Sequence, residues 1–225
     1  FKVDAVKEGA GNGTAAALSF GTGGESGTYY AFGGVLASFV SGKSDCKVTA
    51  LTSGGSQANV EDLTNGNVQL AFVQSDVMNY AYNGQRLFDS PVTGFSVVAQ
   101  LYQEQVQIVT TNPDIKTVAD LAGKKVSIGA AGSGVYFNAI DVLSAYDLKE
   151  SDISAVYQSF GDSAESLKDG KIDAAFIVAG APTTAITDLA TAGNVYLVSL
   201  DDSHVQSLLS ASPYYTAATI KAGTY

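Results

Sequence analysis

The chain has 225 residues, 46% of them hydrophobic and only 15% charged, enough apolar material for one large domain or two compact lobes. Twelve Lys+Arg against 22 Asp+Glu leave a net charge of −10, which argues against nucleic acid or an anionic membrane surface as partner. One cysteine, Cys46, excludes an internal disulfide, and one histidine, His204, excludes a multi-His metal site, so no cofactor is expected.

In chain order, residues 1–16 (FKVDAVKEGAGNGTAA) are small and polar without periodicity and predict a flexible tail. The chain begins at Phe1 without a signal peptide, as a mature or trimmed chain would. From residue 18 the pattern becomes strand, Gly-rich turn, helix. Phe32, Val35, Leu36, Phe39 and Val40 fall at the spacing of one helix face and predict an amphipathic helix packing that stripe inward. Short strands are expected at 48–52 and 68–73, with a helix over about 56–63 between them. Residues 95–111 read as two strand-like runs broken by Gln103-Glu104 and suit a crossing between lobes. Thr117 and Asp120 mark a helix start ended by Gly123, and 126–130 is the next strand. Strands and helices alternating at this pace imply βαβ units in mainly parallel sheets. His204 falls in a polar stretch and reads as a solvated residue near a helix end. No apolar run reaches the roughly 18 residues needed to cross a bilayer.

The chain also matches itself. LTNGNVQLAFV from Leu63 aligns with LKDGKIDAAFI from Leu167, an offset of 104 residues. Gly24-Glu-Ser26-Gly27-Thr-Tyr29-Tyr30 aligns with Gly132-Ser133-Gly134-Val-Tyr136-Phe137, with Ser26 and Ser133 offset by 107. Two matches in the same order at nearly equal offsets predict two similar α/β lobes: 17–106 with 213–225, and 107–212.

Each lobe then carries a Gly/Ser turn between a strand and a helix. A helix N-terminus exposes unpaired N–H groups and about half a positive charge, and glycines allow close approach to it, which makes an anion site. Basic residues are absent from 8–42, 48–85, 126–148 and 172–220, so an anion would be held by backbone and hydroxyl donors. Gly42-Lys43-Ser44 lacks the upstream glycine of a P-loop, and nucleotide binding is not expected. The candidate ligand residues are Gly24, Thr28, Tyr29, Ser53, Gln57, Gln74 and Ser75 in lobe one. Their counterparts in lobe two are Ser133, Gly134, Tyr136, Asn138, Gly180 and Pro182, with the Asn138 amide expected to point into the cleft. No convincing nucleophile–base pair accompanies them, although an enzyme on the same two-lobed fold, a transferase or amidohydrolase, is the alternative. A cytosolic effector-sensing domain of a transcription regulator is a third reading.

The segments FGTGGESGTYYAFGG, TSGGSQANVEDLTNGNVQLAFVQSDV, TVADLAGKKVSIGAAGSGVYFNAIDVL and ATIKAGTY resemble the TAXI family over about 18–225. These are extracytoplasmic solute receptors of tripartite ATP-independent periplasmic (TRAP) transporters. The resemblance implies a two-lobed periplasmic-binding-protein fold of the second type. It also implies capture of a small carboxylate (glutamate, glutamine or a related dicarboxylate) for TRAP membrane subunits, by a non-enzymatic protein outside the cytoplasmic membrane, free or lipid-tethered. Members of that family continue past the position of Tyr225, so an incomplete lobe one is expected.

Overall fold

The computed structural model describes residues 16–225; the tail predicted at 1–16 lies, but for Ala16, outside the described residues. Lobe one opens with β1 (Ala17–Gly21), α1 (Thr28–Lys43), β2 (Lys47–Leu51), α2 (Ser56–Asn65), β3 (Leu70–Ala71) and α3 (Ser75–Asn83). Its sheet is parallel, in the order β2-β1-β3. Parallel neighbours need a crossover of a dozen residues or more, which the helices supply. After an irregular stretch, β4 (Gln105–Thr110) leads into lobe two, with β5 (Lys125–Ser127), α4 (Val135–Ala145), β6 (Ser154–Val156), α5 (Phe160–Lys168), β7 (Ala174–Ala179) and α6 (Thr184–Ala192). Then come β8 (Tyr196–Leu197) and α7 (Asp202–Ala211).

The internal repeat is structural. Strands β5, β6 and β7 pair in parallel in the order β6-β5-β7, the same arrangement as β2-β1-β3. Gly66 and Gly170, matched by the repeat, both follow a helix in the left-handed region, at φ 75° and 66°. Lobe two then extends its sheet with β4, antiparallel to β7, and with β8, antiparallel to β4, and Ile108 stands opposite Phe176 in the register of β4 and β7. All six residues of β7 are buried, as expected of a strand covered on both faces. Phe176 and Val178 face a core with Val135, Ala139 and Leu143 of α4, while Ala175 and Ile177 face Leu167 of α5 and Ile186 of α6.

Helix α1 departs from its predicted packing. Gly33 and Ala37 are its buried residues, whereas Phe32, Val35 and Phe39 of the apolar stripe are exposed. The helix sits so close to the sheet that a Cβ on Gly33 would lie 2.5 Å from Thr22 Cγ2, so small side chains face inward. Of the two runs predicted at 95–111, only the second forms a strand. Thr117 and Asp120 do close a reciprocal cap, on a short 3-10 helix, Val118–Leu121. The stretch 213–225 contains no helix or strand; Tyr225 packs against the lobe-two core and its hydroxyl accepts from Thr183 N at 3.0 Å.

The two lobes share a third core. Phe137, fully buried on α4 of lobe two, inserts among Val60, Val77, Tyr80, Ala81 and Phe88 of lobe one.

Candidate functional site

The carboxyl ends of β1, β3, β5 and β7 converge on one cavity of about 70 Å³ between the lobes. Asn59 of α2, fully buried, fixes the lobe-one side by donating to the carbonyls of Thr22 at 2.8 Å and Phe72 at 2.7 Å. Around the cavity, α1, α2 and α4 start at Gly27, Gly55 and Gly134, and none of these N-termini has a side-chain cap. Three helix N-termini, each with its partial positive charge, therefore border one space, and of their first-turn N–H groups Ala58 N is already taken, by Gly132 O. Ser133 Oγ, buried on the cavity wall, has no hydrogen-bond partner among the described residues. A buried hydroxyl left unpaired costs free energy that a ligand acceptor would recover.

The glycines serve the lobes as much as any ligand. A Cβ on Gly54 would lie 2.7 Å from the Ala131 carbonyl oxygen, one on Gly55 3.2 Å from Ser133 Cα, and one on Gly132 3.2 Å from Ala58 Cβ. Ala58 N donates across this seam to Gly132 O at 2.9 Å. At the far side, Thr28 Oγ1 donates to Gly180 O at 3.3 Å and Ala185 N to Ser26 O at 3.3 Å. The lobes are closed on each other, backbone against backbone.

Of the residues expected from sequence, Gly24, Thr28, Tyr29, Ser53, Gln74, Ser133 and Gly134 line the cavity. The others lie off its wall. Gln57 donates to Glu61 along α2, and Ser75 is exposed in the first turn of α3. The Tyr136 hydroxyl turns to Glu150 at 3.1 Å, Gly180 accepts from Thr28 and Thr183, and Pro182 is exposed. Asn138 does not offer its amide to the cleft. Its Nδ2 donates to Asp76 Oδ2 and to the Tyr215 hydroxyl, both at 2.9 Å, and its Oδ1 accepts from Gln74 Nε2 at 2.7 Å. Tyr215 in turn donates to Asp141, which pairs with Arg86. A helix-first-turn asparagine thus spends every polar atom on joining lobe one to lobe two, and burial raises the Asp76 carboxyl above its ordinary range.

Two cavity residues escaped the sequence reading. Ser56 Oγ accepts from Gln74 N at 3.0 Å and lies 3.4 Å from the Tyr29 hydroxyl. Glu104, at the crossing into β4, accepts from that hydroxyl at 3.1 Å. Its carboxyl is desolvated by the cleft walls, which pushes its pKa up to about 8, and Asp76 pushes the same way. The Tyr29 hydroxyl is raised as well, by burial first and by Glu104 second. An acid interrupting an apolar run at a lobe crossing was the available signal. His204 is remote from all this: it sits in the first turn of α7, paired with Asp201 and stacked on Tyr146. Cys46 lies between α1 and β2.

The fold is that of periplasmic solute-binding proteins. The chain resembles the alkanesulfonate-binding protein SsuA from Xanthomonas axonopodis pv. citri bound to MOPS, at 21% identity and a TM-score of 0.53, covering 82% of this chain and 60% of that one. An ancestral arginine-binding protein bound to glutamine gives 18% identity and a TM-score of 0.58, over 82% and 79% of the two chains. Truncated ArgBP from T. maritima with arginine bound gives 17% and 0.57, over 80% and 81%. The chain thus spans about 60% of the length of the alkanesulfonate-binding protein, and at these identities the likeness is one of fold. The model of the NMT1-like family matches residues 20–225, and the chain belongs to that family.

Proposed function

We propose that this chain is the solute-binding part of an extracytoplasmic receptor. It captures a small carboxylate (glutamate, glutamine or a related dicarboxylate) between its lobes and delivers it to the membrane subunits of a TRAP transporter. The observation that carries this reading is the convergence of three uncapped helix N-termini, at Gly27, Gly55 and Gly134, on one cleft enclosed by both lobes. A carboxylate there accepts from backbone N–H groups and the unpartnered Ser133 hydroxyl, with no arginine required. In the closed form the cavity suits a small molecule, not a peptide or a nucleotide, so the lobes must part to admit it. Micromolar capture needs about −8 kcal/mol, within reach of several charge-assisted bonds and full enclosure. The TAXI-like turn segments support the TRAP partnership and a location outside the cytoplasmic membrane.

An enzyme on this fold has less in its favour. The cleft hydroxyl best placed for attack, Ser133 Oγ, has no base beside it, and the one histidine is committed to Asp201 on α7.

The test is Ser133→Ala, with the ligand identified by mass spectrometry of the co-purified protein. Removing an unpaired buried hydroxyl leaves thermal stability unchanged or slightly raised and costs about 1–3 kcal/mol of binding in calorimetric titration. Unchanged affinity in the folded variant would remove Ser133 from the ligand site, and a co-purified ligand without a carboxylate would overturn the carboxylate reading.

A further inference from the structure

We propose that Glu104 is the cation-recognising residue of the cleft, so that the receptor takes an amine-bearing carboxylate, a zwitterion, in preference to a bare dicarboxylate. This rests on the receptor reading and narrows its ligand class.

The cavity wall carries two kinds of group side by side. The N-termini of α1, α2 and α4 offer N–H groups that suit an anion. Near them stands the Glu104 carboxyl, a cavity-lining acid at the lobe crossing whose one hydrogen bond among the described residues comes from the Tyr29 hydroxyl, itself 3.4 Å from Ser56 Oγ at the start of α2. No lysine or arginine lines the cavity. Arg86, the single arginine, is engaged by Asp141 and lies over the Tyr80 ring, 5.0 Å from its centre.

The charge that Glu104 feels is that of Asp76 on α3, while Tyr29 on α1 meets it through a hydrogen bond and Tyr102 on its own segment is an acid raised by it. All are acids, so none supplies a countercharge. A carboxyl in such a place either stays protonated or awaits a cation brought by something else. An α-ammonium group beside an α-carboxylate matches these neighbouring acid and N–H groups at once. A second carboxylate beside Glu104 would face a carboxyl oxygen instead.

Binding then has a proton balance. In the empty cleft at pH 7 the carboxyl carries its proton, since its pKa is pushed up to about 8. When R–NH3+ arrives, the carboxyl ionises to pair with it and one proton leaves to solvent. No bond to carbon or nitrogen is made or broken.

The experiment screens the ligand-stripped chain by thermal shift against the twenty proteinogenic amino acids, each beside the same acid lacking its α-amine. Hits are titrated calorimetrically at pH 7 in two buffers of different ionisation heat, with wild type and Glu104→Gln. The expected result is that at least one amino acid binds and its amine-free counterpart binds at least 30-fold more weakly. Binding should release most of one proton. In Glu104→Gln the amino acid loses at least 10-fold in affinity and the proton release vanishes. The ligand comparison and the proton count need only wild-type protein, so a misfolded variant does not rescue the idea. Amine-bearing and amine-free acids binding alike, with no proton released, overturn the Glu104 assignment and leave the carboxylate receptor standing. Binding by neither set overturns both.

Discussion

Replacing Glu104 by glutamine should change how folding stability depends on pH, and the sign follows from the direction of its shift. The folded protein holds the Glu104 proton up to about pH 8, whereas the unfolded chain releases it near the ordinary glutamate value of 4.5. Between those limits the unfolded state carries fewer protons than the folded one, so wild-type stability falls as pH rises. At about 1.4 kcal/mol per pH unit, a shift of about 3.5 units amounts to about 5 kcal/mol lost across the window. The amide is isosteric and does not titrate, so the variant escapes this loss. Asp76, also raised by burial, is present in both proteins, and the raised tyrosines, Tyr29 and Tyr102, whose shifts come partly from Glu104, stay largely protonated up to pH 9 in folded and unfolded states alike. Urea unfolding of ligand-free protein at pH 5, 6.5, 8 and 9 is the assay. The variant should be close to wild type at pH 5 and more stable by about 5 kcal/mol at pH 9. Parallel curves for the two proteins would mean that the carboxyl is solvated, and the desolvated cleft described above would be wrong.

Three further outcomes follow from the contacts between the lobes. Gly54→Ala places a methyl group against the Ala131 carbonyl, so it should leave the circular dichroism spectrum intact, weaken ligand binding at least 10-fold and enlarge the radius of gyration in X-ray scattering. Asn138→Ala leaves Asp76 and Gln74 without their partner and should lower unfolding free energy by about 1–3 kcal/mol, read by urea titration. Phe137→Ala empties the shared core and should cost about 3–5 kcal/mol by the same titration, the range for deleting a fully buried ring.

The α/β alternation and the two matched halves were legible because they repeat locally: strand, turn and helix recur at offsets of 104–107, and the sheets adopt the same strand order. The Gly/Ser turns that line the cavity were legible for the same reason. What the sequence hid depends on the third dimension. The α1 stripe looked inward by periodicity, yet glycine and alanine let the backbone approach Thr22, and the large side chains turned out. The Asn138 amide was expected to point into the cleft, but its partners, Asp76, Gln74 and Tyr215, are 62 to 77 residues away along the chain. Glu104 and Tyr29 are 75 residues apart, and no spacing rule links an acid at a crossing to a tyrosine at a helix start.

The seam at Gly54, Gly55 and Gly132 divides labour between main chain and side chains. Because the lobes meet there through peptide groups and Cα atoms, the fit of one lobe to the other is set by atoms that nearly every residue shares. Glu104, Ser133 and Tyr29 stand apart from these backbone contacts, so under the proposed receptor function a substitution there would alter the solute accepted while leaving this seam as it is. Fit along the seam and choice of solute would then be separable traits.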